Sequence, residues 1–339
     1  MEQSNTPDIN DQPNVIVVIP CYRSKSQILG VLSGIGAEVW RVYVIDDSCP
    51  DGTGKYVEEH GNDSRIRVIF HEFNKGVGGA VITGYHNAIA DGAEVIVKID
   101  SDGQMDPKFI PIIVAPILAQ EADYVKGNRF FDLENVSSMP TTRVFGNAVL
   151  SLMAKLSTGY WDIFDPTNGY TAIHAGLAEL LPFSKISNRY FFETDILFRL
   201  NTLYAVVVDV PMDAKYGDEV SNLRITRIIG EFLIKHFRNF MKRIFYNYYL
   251  RDLSIASIEL PLGSLFLILG IGYGLFRWLE SVEKGLATSV GSVMLPTLLV
   301  LMGLQFILGF LAYDISSVPR RPRQKIIGSL GDRKSKRDI

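Results

Sequence analysis

Cysteine is nearly absent, with Cys21 and Cys49 the only two in 339 residues. This excludes a disulfide framework and a cluster of thiolate metal ligands. A signal-peptide type of N-terminus is also missing. Residues 1–13 are polar, contain two prolines and are expected to be disordered, so the large domain is expected to stay cytosolic. No strong surplus of one charge sign exists overall, since the net charge is −3, but the sum hides a division. Residues 1–222 hold 17 basic and 29 acidic side chains, whereas 223–339 hold 17 and 8. Charge is wholly absent from two runs, 17 residues from Leu260 to Phe276 and 28 from Leu286 to Tyr313. At 1.5 Å per helical residue each can cross roughly 30 Å of hydrocarbon, the first at the short limit. A buried hairpin in a soluble core is the alternative, but two such runs in succession, joined by Arg277 to Gly285, fit a membrane hairpin better. Arg320, Arg321, Arg323, Lys325, Arg333, Lys334, Lys336 and Arg337 follow the second run, which predicts both termini on the cytoplasmic side of a multi-pass inner-membrane protein.

Ahead of these runs, apolar strand-like segments recur at Val15–Ile19, Val42–Ile45, Arg67–Phe70, Val95–Ile99 and Tyr124–Lys126. Helix-length intervals precede the second, fourth and fifth. That alternation predicts a mostly parallel sheet flanked by helices, with ligands at the carboxyl ends of its strands. Four clusters fall there: Pro20-Cys21-Tyr22, Asp46-Asp47-Ser48, Asn74 to Ala80, and Asp100 to Gln104. In the last, VIVKIDSDGQ (95–104) runs a strand into Asp100 and Asp102. Where a strand breaks into a turn, two such carboxylates can converge on one cation, and Gln104 adds a neutral oxygen. Hard oxygen ligands suit Mg²⁺ or Mn²⁺, and the ion's open positions suit a nucleotide diphosphate. An acidic pair can also be a solvated turn; the four clusters at one edge favour a cleft.

Beyond Gly127, the segments Thr141–Thr158, Thr171–Leu181 and Phe192–Tyr204 read as helices, followed by a last strand at Ala205–Val210. Leu223–Leu253 mixes seven basic and two acidic residues with Phe232, Ile234, Phe237, Phe240, Ile244 and Phe245. It is expected to lie as amphipathic juxtamembrane helices on an anionic lipid surface. Gly270-x-x-x-Gly274 could pair helices between chains, which predicts a homo-oligomer, or could serve packing within one hairpin.

Eight ordered segments, VVIPCYRS (17–24), VIDDSCPDGT (44–53), FNKGVGGAVITG (73–84), KIDSDGQMDP (98–107), KGNRF (126–130), DPTNGY (165–170), FFETDILFRL (191–200) and DAKYGDEVSNL (213–223), together resemble family 2 glycosyltransferases of GT-A fold. Within them the similarity is to polyprenyl-phosphate sugar synthases related to dolichol-phosphate mannose synthase. The resemblance implies that Pro20, Tyr22, Asp46, Asp47, Lys75 and Asp100 bind the nucleotide, and that Asp102 and Gln104 hold the metal. It implies that Arg129 sits near the diphosphate or sugar, and that Asp100, Asp102, Arg129, Asp165 and Glu193 serve catalysis. Lys215, Ser221 and Arg224 would meet the acceptor phosphate. Two departures stand out. Arg23 and Ser24 replace the usual Asn-Glu after Tyr22, and Asn222 follows Ser221 where lysine is common, leaving Arg224 to supply the charge.

The resulting expectation is inverting transfer of one sugar from a UDP- or GDP-sugar to a polyprenyl phosphate. Other partners expected are membrane lipids, with no nucleic acid. Transfer to another lipid or glycan, or a non-catalytic membrane scaffold with a retained nucleotide-sugar fold, are the alternatives. The Gln-x-x-Arg-Trp pattern of polymer synthases is absent, because Gly274 stands three residues before Arg277. The expected domains are a disordered 1–13, a GT-A domain at 14–222, juxtamembrane helices at 223–254, two membrane helices at 255–313 and a basic tail at 314–339.

Overall fold

A computed structural model describes residues 13–131, 141–212 and 225–327. The chain divides into two compact units: residues 1–239 with 319–339, and residues 240–318.

The first unit is built on seven strands: β1 (Val15–Cys21), β2 (Val39–Asp46), β3 (Ile66–Phe70), β4 (Val95–Lys98), β5 (Tyr124–Asn128), β6 (Thr171–His174) and β7 (Val207–Pro211). Their order is β3-β2-β1-β4-β6-β5-β7. Every residue of β1 and β4 is buried, as expected of central strands covered on both faces, which explains their near-continuous apolar sequence. Helices α1 (Ile28–Ser33), α2 (Thr53–His60), α3 (Val77–Ala90) and α4 (Ile110–Leu118) make the parallel crossovers, one more than the intervals suggested. Gly84 of α3 lies where a Cβ would collide with Val18, so the helix packs closely on β1.

The order of elements differs from expectation in one place. Thr171–Leu181 reads as helix, yet Thr171–His174 is a strand that runs antiparallel to both β4 and β5, and only α6 (Ala175–Ala178) is helical. Four residues are too few to show a period, and backbone hydrogen bonds to two neighbours decide the outcome. Helices α5 (Thr141–Thr158) and α7 (Phe192–Thr202) fall where expected.

Helix α8 (Ile225–Phe245) begins in the first unit. There Phe232 and His236 pack edge-on to Phe191, while Ile234 and Phe237 are 70% and 66% exposed. The side chains thus sort by face, one docked and one apolar face outward beside Lys235 and Arg238.

Residues 319–327 return to the first unit, where the wholly buried Asp123 accepts from the backbone N–H groups of Arg323 and Gln324, each at 2.8 Å, and of Val206 at 2.8 Å. The Gln324 amide also donates to the carbonyls of Ile117 and Ala122. Asp123→Ala leaves three donors without their acceptor and is expected to destabilise this unit by about 3 kcal/mol, read from denaturant unfolding.

The second unit contains α9 (Ala256–Lys284) and α10 (Val290–Ser316), both long and apolar enough to cross a membrane. The first helix extends past its uncharged run at both ends, which removes the length limit. Gly270 faces α10: a Cβ there would stand 2.9 Å from Val300 and 3.0 Å from Pro296. Gly274 likewise faces Pro296. The glycine pair therefore serves packing inside the hairpin, the second of the two readings of this motif. Within the same unit Arg243 makes a two-pronged ion pair with Asp314, at 2.6 and 3.0 Å, both side chains being buried.

Candidate active site

The carboxyl ends of β1 and β4 open on a cleft of about 1080 Å³ lined by Pro20, Tyr22, Asp47, Lys98, Asp100, Asp102 and Glu193, among others. Pro20 and Cys21 close the buried run of β1, and Tyr22 is half exposed at the rim.

Asp46 and Asp47 are both buried, and their carboxylates are committed to the protein's own backbone. Asp46 accepts from the N–H groups of Cys49 and Gly54, each at 2.7 Å, holding the start of α2. Asp47 accepts from Lys75 and Gly76 at 2.8 Å and lies 2.7 Å from His71 Nδ1, whose Nε2 meets Thr83. Asp47 therefore shapes the turn before α3, and Lys75 meets it through its backbone N–H. Gly76 has φ +86°, and a Cβ there would stand 2.5 Å from the carbonyl oxygen of Asn188, so glycine is required.

Beyond β4 the Gln104 N–H donates to Asp102 Oδ1 at 3.0 Å, drawing the two residues into one turn. Among the described residues no three His, Cys, Asp or Glu side chains converge as a metal cluster. The donor set is the Asp102 carboxylate, which lines the cleft together with Asp100. It fits a divalent ion that takes most of its ligands from a diphosphate.

Asp100 and Glu193 come together across the cleft through a residue absent from the sequence expectations. Lys98 Nζ lies 2.9 Å from Asp100 Oδ1 and 3.2 Å from Glu193 Oε1, with the lysine side chain 1% exposed. Burial alone would pull its ammonium down, but Asp100 and Glu193 outweigh it and hold it above its ordinary value. A lysine inside the apolar run VIVKID was the available signal. Asp195, two residues after Glu193, is buried and accepts from the Ser187 N–H and from Asn239 Nδ2.

Arg129 and Asp165 are brought together with each other. The guanidinium donates through Nε at 2.7 Å and through an Nη at 3.1 Å to a carboxylate that is wholly buried. Lys126, also missed, is buried and donates to the Asn168 carbonyl at 2.6 Å. Burial pulls its ammonium down to about 8, against the attraction of Glu193, Asp165 and Asp209. Lys215, Ser221 and Arg224 lie outside the described residues.

Asp209 on β7 is pushed up to about 6 by burial, although the Phe164 N–H and Lys126 oppose this. A carboxylate whose folded pKa is raised contributes stability below its unfolded value near 4, and loses it as pH rises through 6. The stability advantage of Asp209→Asn over wild type is therefore expected to grow by about 2 kcal/mol between pH 4 and pH 7, measured by denaturant unfolding across that range.

Residues 16–181 match the family model described as glycosyl transferase family 2. A UDP-N-acetylglucosamine–dolichyl-phosphate N-acetylglucosaminyltransferase of Methanococcus voltae is 29% identical over 234 residues, 65% of this chain and 92% of the relative. An undecaprenyl-phosphate mannosyltransferase of Micrococcus luteus is 29% identical over 202 residues, 58% of this chain and 82% of the relative. In fold, the chain is similar to glucosyl-3-phosphoglycerate synthase from Mycobacterium tuberculosis in complex with Mn²⁺, UDP and phosphoglyceric acid. The TM-score is 0.52 at 20% identity, covering 68% of this chain and 78% of that one. With a seven-stranded sheet of this order and a cleft at its strand ends, residues 16–181 form a family 2 glycosyl transferase domain, and the protein is a glycosyltransferase of GT-A fold.

Proposed function

We propose that the protein transfers a single sugar, with inversion, from a UDP- or GDP-sugar to a polyprenyl phosphate at the cytoplasmic face of a membrane. The observation that carries this reading is the mixed chemistry of one cleft. Lys98, Asp100, Asp102 and Glu193 line it together with the apolar Val149, Leu150 and Met153 of α5 and Phe232 and Leu233 of α8. A phosphate carried on a prenyl chain needs both.

In the proposed reaction a phosphate oxygen of the lipid attacks the anomeric carbon. The bond from that carbon to the diphosphate breaks, and the nucleoside diphosphate leaves with the electron pair. The nucleophile is already anionic, so no strong general base is required; placement in line and stabilisation of the leaving charge supply the rate. A divalent ion, when held by Asp102 with Gln104, would neutralise that developing charge. Pro20 and Tyr22 would bound the nucleotide, with Asp46 and Asp47 fixing the turns around it. Asp100 and Glu193 would face the sugar. Lys215, Ser221 and Arg224 are proposed to meet the acceptor phosphate.

Placement of both flanks of the hairpin on one side is supported by chain connectivity. Residues 239 and 319, on either side of the hairpin unit, both belong to the first unit, as an even number of crossings requires. Arg320 and Arg321 then fit the positive-inside rule.

The test is sugar transfer by purified protein from UDP- and GDP-sugars to undecaprenyl phosphate, with Mg²⁺ or Mn²⁺ and with chelator. A chelator-sensitive lipid-linked monosaccharide is the expected product. Nucleotide binding with no transfer to this lipid would point to another acceptor; no nucleotide binding would favour the scaffold.

A further inference from the structure

We propose that Lys98 is a positioning residue for transfer, holding Asp100 and Glu193 at a fixed separation across the cleft; the proposal rests on the functional reading above. The two carboxylates come from different elements, one from the turn after β4 and one from α7, and Lys98 Nζ is the atom that joins them at 2.9 and 3.2 Å. Lys98 is the last residue of β4 and Asp100 lies two residues on in the turn, and both line the cleft. Asp100 and Glu193 retain 30% and 13% exposure, while Lys98 retains 1%. The cation is therefore enclosed, and the anions look into the cleft.

The enclosure comes from the loop before β6. A Cβ at Gly169 would lie 2.5 Å from Lys98 Nζ and 2.6 Å from Asp100 Oδ2. The neighbouring Asn168 carbonyl is held by Lys126 Nζ at 2.6 Å. Lys98 and Lys126 both register with Thr171, one from each side, so the two lysines occupy one row across β4, β6 and β5. One lysine fixes the loop, and the loop closes over the other.

A lysine that served packing alone would be replaceable without a specific loss of rate, although removing it strands two carboxylates and costs stability. A lysine that sets carboxylate placement is not, because misplacement by about 1 Å costs on the order of 100-fold in rate. Lys98→Met, Lys98→Arg, Glu193→Gln and the double variant Lys98→Met with Glu193→Gln are made in the full-length protein. Each is assayed for transfer to undecaprenyl phosphate, for UDP and GDP binding with Mn²⁺, and for thermal unfolding. The expected result for Lys98→Met is a kcat lowered about 100-fold, with acceptor KM changed less than about threefold and nucleotide binding retained. Lys98→Arg recovers part of the rate, and the double variant is no slower than Glu193→Gln alone. Wild-type kcat in Lys98→Met, or single effects that multiply in the double variant, would overturn the proposal. If Lys98→Met fails to fold, Lys98→Gln takes its place in the same cycle under the same criteria. A wild-type protein that makes no lipid-linked sugar while binding nucleotide overturns the functional reading instead, and with it the role given to Lys98.

Discussion

Asp102→Ala is expected to lower kcat for sugar transfer by about 10³-fold, the rate equivalent of some 4 kcal/mol of leaving-group stabilisation by a metal. The side chain lines the cleft in the turn after β4, and its Oδ1 is oriented by the Gln104 N–H at 3.0 Å. No group of three acidic, His or Cys side chains converges among the described residues, so little else in them could retain the ion. The turn itself should survive, because the Gln104 N–H bond to Asp102 lies on a partly exposed segment and is worth about 1 kcal/mol. The expected signature is thus an unchanged melting temperature with loss of the Mn²⁺ dependence of UDP or GDP binding. Full transfer activity in Asp102→Ala would remove the metal from the mechanism.

Arg129→Ala carries the second large effect, and the geometry makes it an effect on stability. The Asp165 carboxylate is wholly buried and receives two guanidinium bonds from Arg129. Removing the arginine leaves a charge enclosed without its cation, which typically costs about 3–5 kcal/mol. A fall of roughly 10 °C in melting temperature is expected for a unit of this size. Asp165→Asn in the Arg129→Ala background should recover much of that loss, since the stranded charge is then gone. If Arg129→Ala melts like wild type yet loses nucleotide binding, the guanidinium serves the diphosphate directly, as the family resemblance implies.

The strands that were plain in the sequence are those buried on both faces. VIVVIPC and VIVK need apolar residues at every position, and a continuous run announces that. The hairpin was equally plain, because lipid imposes the same demand over a longer stretch. Thr171–His174 was hidden because its state is set by neighbours on both sides, which no window of four residues contains. At the site, residue positions were more legible than roles. Asp46 and Asp47 stand at a strand end, as the pattern required, but their oxygens turn back to backbone N–H groups of the loops they brace. Arg129 and Asp165 were separate candidates in sequence and are one ion pair in space. Lysine in a strand is usually an edge or a surface residue, so the sequence around Lys98 does not by itself mark it as a site residue. Only its enclosure beneath Gly169 shows what the charge faces.

The return of residues 319–327 to the first unit also sets an order in time. Asp123 leaves the ribosome 200 residues before Arg323, with both membrane helices still to be made. Until the tail emerges, the Val206 N–H is the one backbone donor of the three that this carboxylate can have. Nascent domains otherwise fold as units from the N-terminus onward. Here the catalytic unit stays incomplete until the hairpin has been synthesised and the chain has come back. Completion of the fold thereby waits on synthesis of the hairpin, and a nascent chain stalled before residue 323 carries an Asp123 carboxylate that still lacks the Arg323 and Gln324 donors.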